Sequence, residues 1–205
     1  MEKLLLLFTI LYFYCLCLFF PIPLQQDKSF LINSFQQTQV QLRKNIEELN
    51  DSQLAYKSSP ESWSAAQILE HIVVTEKVLF EMFDKIMKQP PNAEKREGIQ
   101  VKDQELFDRM NDRTKKLKAP EFLHPQSKFK NASEALQIFS EQREGILNYI
   151  KSIPEQDLRN RVTESPLGET MDAYQFLLYI SGHCSRHTLQ LEELKREGGF
   201  PMGSL

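Results

Sequence analysis

Beyond residue 24 the chain has a single cysteine, Cys184, because Cys15 and Cys17 lie in the N-terminal apolar run. No intramolecular disulfide can therefore staple the fold, and stability must come from packing and, where a site exists, from metal. Glycine is scarce, with seven in 205 residues, and alternating β-branched runs are few. That turns the reading away from sheet-rich folds and toward an all-α protein with 3.6-residue periodicity. Neither sign of charge dominates: 25 lysines and arginines stand interspersed with 28 aspartates and glutamates, for a net charge of -3. There is no electrostatic footprint for nucleic acid and no polybasic membrane patch. Histidine and tryptophan are also sparse, with four and one, so where they fall is informative.

The one long uncharged apolar stretch runs from Leu4 to Phe20 after Met1-Glu2-Lys3 and is closed by Pro21-Ile22-Pro23. Its roughly 17 residues lie between a long signal-peptide core and a short membrane span. Residues 1–24 are read as a signal peptide or an uncleaved membrane anchor, since no small-x-small cleavage site precedes Gln25. The chain is then exported, periplasmic or extracytoplasmic, and attached to the membrane if the segment is retained. A start codon placed too early would instead make it cytoplasmic. Residues 25–205 are long enough for one domain with a real core.

Four helices are expected in that domain. The first runs from about Ser29 to Leu49 on a seam of Leu31, Phe35, Thr38, Leu42, Ile46 and Leu49. The second opens on the capping box Ser64-Ala65-Ala66-Gln67, behind Trp63, and reaches about Lys88 before Pro90-Pro91; Trp63 is read as a hydrophobic staple over the helix entry. The third opens on a second capping box, Asn131-Ala132-Ser133-Glu134, and runs to Pro154. The fourth begins near Thr170 and stops at Gly198-Gly199, where a left-handed glycine would end it. Between the second and third helices, residues 89–130 lose periodicity apart from a short helix around Gln104 to Met110. So long a link points to a crossover, which lets the helices on either side of it lie parallel. The expected architecture is an all-α four-helix bundle with a long crossover between its second and third helices. Apolar faces on the first and third helices would also serve a homodimer.

His183 and His187, four residues apart, project from one helix face roughly 6 Å apart along the axis. They interrupt an apolar stripe of Phe176, Ile180, Leu191 and Leu194, and His71 lies on the inward face of the second helix with Ile68, Ile72, Thr75 and Leu79. Interior histidines can be hydrogen-bonded core residues or metal ligands, and the spacing alone leaves both open. His124, beside Pro125, is read as a loop residue, and Cys184 as a small buried residue. Glu70 and Glu76 are candidate proton carriers, set against the plainer reading of solvated surface glutamates. Arg186 and Gln190 flank the histidines and are candidates for orienting a substrate.

Trp63 to His71, Ala119-Pro120-Glu121, Asp172 to Phe176 and Gly182 to Gln190 together resemble the DinB/YfiT-like superfamily, and the likeness spans essentially everything after Lys28. The resemblance implies a four-helix bundle that binds one divalent metal ion through His71, His183 and His187. Three imidazoles do not choose among zinc, nickel, iron and manganese. It further implies a metal-dependent transferase of low-molecular-weight thiols, such as bacillithiol or mycothiol, or a hydrolase, acting on a small-molecule substrate. The competing class is a non-catalytic binding module in which the metal is structural or lost. Because ligating imidazoles must be deprotonated, the metal is expected to be lost as the pH falls through roughly 6 to 5.

Overall fold

The computed structural model describes residues 28–202. Among them no helix is long and apolar enough to cross a membrane; the leader expected at residues 1–24 lies outside the described residues.

Four long helices form the body: α1 (Ser29–Ile46), α3 (Ala65–Met87), α5 (Ala132–Ser152) and α7 (Ala173–Lys195). Short helices α2 (Asp51–Ala55), α4 (Asp103–Asn111) and α6 (Glu155–Arg159) lie in the connections, and β1 (Val162–Glu164) pairs antiparallel with β2 (Thr170–Asp172). The expected four-helix bundle is the observed one.

The start of α3 matches its sequence signal: Ser64 accepts from the Gln67 amide while the Gln67 side chain accepts from the Ser64 amide. The second capping box is only half formed. Asn131 accepts from the Glu134 amide, but Glu134 reaches one residue further back, to the Lys130 amide at 2.6 Å. Asn50, just past the expected end of the first helix, caps α2 with Gln53 as its reciprocal partner.

The fourth helix starts three residues later than expected. Thr170–Asp172 is a strand, too short to show a periodicity, and Asp172 caps α7 by accepting from the Gln175 amide at 2.9 Å. The hairpin turn carries Gly168 at φ 83°, the glycine among the described residues in the left-handed region. Helix α7 therefore does not end on a left-handed glycine; its last turn closes through Arg196 in a right-handed conformation.

Two apolar clusters give the topology. One joins Leu31 and Phe35 of α1, Leu79 and Phe83 of α3, Ile146 and Ile150 of α5, and Phe176 and Ile180 of α7. The other joins Leu42 and Ile46, Ile68 and Ile72, Leu136 and Phe139, and Leu191 and Leu194 of the same helices. The N-terminal halves of α3 and α5 thus share one end of the bundle, and those of α1 and α7 the other. Helices α3 and α5 run parallel across the crossover, as the length of that link allows. Each buried Leu, Ile or Phe contributes about 1.5–3 kcal/mol. These faces are spent in the core. The exposed large hydrophobics (Val40, Met82, Leu117, Phe122, Leu167, Met202) are scattered over separate elements, so the homodimer finds no apolar face among the described residues.

Between the clusters lies a charged layer. Arg143 of α5 is fully buried, with Nε donating to Glu76 Oε1 at 2.7 Å and Nη2 lying 2.7 Å from Oε2. Its Nη1 donates to the Phe35 carbonyl and the Thr38 hydroxyl of α1. The guanidinium lies 4.7 Å from the Phe35 ring and 4.8 Å from that of Phe139. Burial raises the Glu76 carboxyl pKa against the opposing pull of Arg143.

Removing one member of such a pair strands the other charge, at a cost of about 3–5 kcal/mol, whereas apolar replacement of both avoids that penalty. Urea unfolding should therefore show Glu76→Ala destabilised by about that amount and the double variant Glu76→Leu/Arg143→Met less destabilised than Glu76→Ala alone.

Candidate metal centre

Helix α7 is covered on several sides, packing against α1, α3 and the crossover helix α4. Close approach of α4 depends on Gly182: a Cβ there would lie 2.8 Å from Met110 Cβ. The next residue on α7 is His183. With His187 one turn on and His71 from the second turn of α3, it forms a three-imidazole cluster. Ring centroids are 4.5 Å apart for His183–His187, 4.6 Å for His71–His187 and 5.1 Å for His71–His183. One ring nitrogen from each histidine falls in a group spanning no more than 4.8 Å. A tetrahedral site with bonds of about 2.0–2.1 Å has edges of about 3.4 Å, a difference that small side-chain rotations span.

Hydrogen bonds orient two of the rings. His71 Nδ1 lies 3.0 Å from the Leu123 carbonyl, which can only accept, so Nδ1 carries the hydrogen and Nε2 the lone pair. The Thr75 hydroxyl, one turn along α3, is 3.3 Å from the same Nδ1. His187 Nδ1 donates to Gln190 Oε1 at 2.8 Å, leaving Nε2 as its lone-pair atom. A partner on the far ring nitrogen is how metal-binding histidines are held in one tautomer.

Electrostatics keep all three neutral. Burial lowers the pKa of His71, opposed by the Leu123 hydrogen bond. His183 is held well below the ordinary range by burial and then by its neighbours His187 and His71. His187 is lowered to about 3, mainly by burial and then by His71. Neutral imidazoles are the form that ligates metal. Loss of metal through pH 6 to 5 assumed ordinary basicity, and burial moves proton competition to lower pH. His71 is buried, whereas His183 and His187 keep partial exposure. Among the described residues no thiol or carboxylate joins the three.

The other residues singled out in the sequence are placed as follows. Gln190 stands at the site, holding His187. Glu76 belongs to the Arg143 pair and Glu70 is buried, accepting from the Gln126 and Ser127 amides; neither is a solvated surface glutamate. Arg186 donates to the carbonyls of Met110, Asp112 and Lys115, so it fastens the crossover to α7. Cys184 lies 3.9 Å from the Thr38 carbonyl, and burial pushes its pKa up to about 12, as suits a packing residue. His124 is exposed on its loop, with Nε2 at 3.1 Å from the Ala119 carbonyl.

Trp63 does more than staple the helix. Its ring lies 4.9 Å from that of His71 and 5.8 Å from that of His124, so it forms a wall of the centre. Leu123 was missed, because a backbone acceptor leaves no mark in a sequence.

A four-helix bundle with a crossover and three converging interior imidazoles defines a class of helical proteins with a trihistidine centre. The chain belongs to the DinB superfamily, whose family model matches residues 34–191. It is 28% identical over 163 residues to the uncharacterized protein YuaE of Bacillus subtilis (strain 168), covering 80% of this chain and 96% of that protein. Its fold is similar to that of YfiT from Bacillus subtilis, with a TM-score of 0.60 at 17% identity, over 86% of this chain and 90% of the other. YfiT is described as a probable metal-dependent hydrolase with an unusual four-helix bundle topology.

The lowered histidine pKa values have a thermodynamic consequence in metal-free protein. The unfolded chain binds a proton at His187 near the ordinary 6.5, while the folded chain resists to about 3. This contribution to stability is complete above about 6.5 and is lost as the pH falls toward 3, at about 1.4 kcal/mol per pH unit. Urea titrations of chelator-treated protein from pH 7.5 to 4 should show at least that decline, and His187→Gln should make it less steep, leaving the share of His71 and His183. Equal slopes would contradict the burial of this imidazole.

Proposed function

We propose that His71, His183 and His187 hold one divalent ion and that the protein is a metal-dependent enzyme acting on a small molecule, with hydrolysis as its reaction. The observation that carries this reading is the convergence of three neutral imidazoles with no fourth protein ligand among the described residues. Structural zinc sites are usually closed by four protein ligands, whereas three leave a position for water or substrate. When bound, a divalent ion there supplies a Lewis acid that brings the pKa of water toward neutrality. The chain's own part is to keep the imidazoles unprotonated, hold His71 and His187 in the Nδ1–H tautomer, and wall the centre with Trp63.

The donor set fits zinc, nickel, iron or manganese. The description of YfiT as a probable metal-dependent hydrolase supports the choice of reaction. Transfer of a low-molecular-weight thiol is the second use of the same open position. An exported location, read from residues 1–24, favours hydrolysis, because the thiols that the family resemblance implies are cytosolic.

Elemental analysis of protein purified without a metal-affinity step tests the site. One divalent ion per chain is expected, and none in the triple variant His71→Ala/His183→Ala/His187→Ala. Water-proton relaxation of Mn2+-loaded protein should then report an exchangeable water. Equal metal in both proteins would refute the ligand set, and a centre fully shielded from water would leave the ion a structural cross-link.

A further inference from the structure

The loop at 119–127 is gripped by two adjacent residues of α3. His71 Nδ1 donates to the Leu123 carbonyl at 3.0 Å. Glu70, only 6% exposed, accepts from the Gln126 amide at 2.6 Å through Oε1 and from the Ser127 amide at 3.0 Å through Oε2. Ser127 has φ 59°, the non-glycine residue in the left-handed region among those described. A serine adopts that conformation reluctantly and needs a restraint to hold it. The paired bonds to Glu70 supply one. Between the two grips lie His124 and Pro125, and the fixed φ of proline leaves that bridge little freedom. The Leu123 side chain is buried, while the loop around it is largely exposed.

We infer that Glu70 is a positioning residue of the metal centre: by clamping residues 126 and 127 it sets the Leu123 carbonyl that selects the tautomer and orientation of His71. The inference rests on the proposed ligation by His71. It gives Glu70 a role other than proton transfer, since both its oxygens are engaged by backbone amides. Glu70→Gln removes one acceptor and turns an amide NH2 toward a backbone N–H. The loop then loosens, Nδ1 of His71 loses its carbonyl, and the ring is free to change tautomer. Loss of a partner bonded directly to a ligating histidine, as the Leu123 carbonyl is to His71, changes affinity by about 10- to 100-fold, and Glu70 acts through that partner.

Two readouts separate this role from general stabilisation. In metal-free protein, imidazole 15N spectra should show His71 as the Nδ1–H tautomer, and Glu70→Gln should show a mixture. In titrations with Zn2+ alone against a chromophoric chelator, Glu70→Gln should bind about tenfold more weakly or worse, with fluorescence of Trp63 following occupancy. Gln126→Pro deletes one of the two amide donors without touching α3 and should give the same pair of changes, so the test survives misfolding of the glutamate variant. An unchanged tautomer and unchanged Zn2+ affinity in both variants overturn the inference while leaving the metal centre intact. That result would mean that Thr75, 3.3 Å from the same nitrogen, suffices. If the wild-type protein binds no Zn2+, the functional proposal fails, and the tautomer measurement alone decides whether Glu70 positions His71.

Discussion

The buried guanidinium of Arg143 is the point at which the four long helices are fixed against one another. It reaches Glu76 on α3 and both Phe35 and Thr38 on α1, and Thr38 meets Ser181 of α7 at 3.3 Å between hydroxyls. Apolar contacts alone tolerate sliding of one helix past another, because leucine and isoleucine repack at small cost. A charge in a dry interior does not tolerate it, since a shift of one turn would leave it unpaired. The layer therefore sets the axial register. Five residues before Glu76 lies His71, and two residues after Ser181 lies His183. The level at which the imidazoles meet is thus a consequence of the level at which the ion pair forms.

Arginines around the centre add to the effect of burial on its electrostatics. Arg143 and Arg186 both depress the basicity of His183, and Arg113 and Arg186 act in the same direction on His187. Burial is the larger cause in each case, and the cations reinforce it. Protonating one imidazole would place a positive charge near these guanidiniums and beside two further rings. The three lone pairs are kept available without any carboxylate joining the cluster.

Much of this was readable from residue spacing. Apolar positions at helical intervals located all four long helices, and the Ser64–Gln67 pair located the start of α3, because those signals are local and carried by side chains. His183 and His187 were bound to share a face, and His71 to face inward. The strands were not readable, since three residues cannot establish a period, and the helix expected to begin near Thr170 begins after the cap Asp172. Glu70 and Glu76 are buried rather than solvated, and their covering was not readable for one reason: helix geometry gives the direction of a side chain but not what covers it. Glu76 finds an arginine 67 residues away and Glu70 finds two loop amides. Pairings at that separation leave no periodic trace.

The crossover, the least readable part, does two jobs with one length of chain. It must be long because α3 and α5 run parallel, so the chain has to return the full length of the bundle before α5 can begin. On that return α4 presses Met110 against Gly182, where any side chain would hold it away. Arg186 then takes three backbone carbonyls, that of Met110 in α4 and those of Asp112 and Lys115 just beyond it. Further on, Leu123 offers its carbonyl to His71. A connection required by topology thereby passes beside both helices that carry histidines and supplies the acceptor that one of them needs. Gly182, Arg186 and Glu70 are explained together as the points where the return path is fastened. A bundle with three short loops would have no chain available at these places, and His71 would have to find its partner within α3.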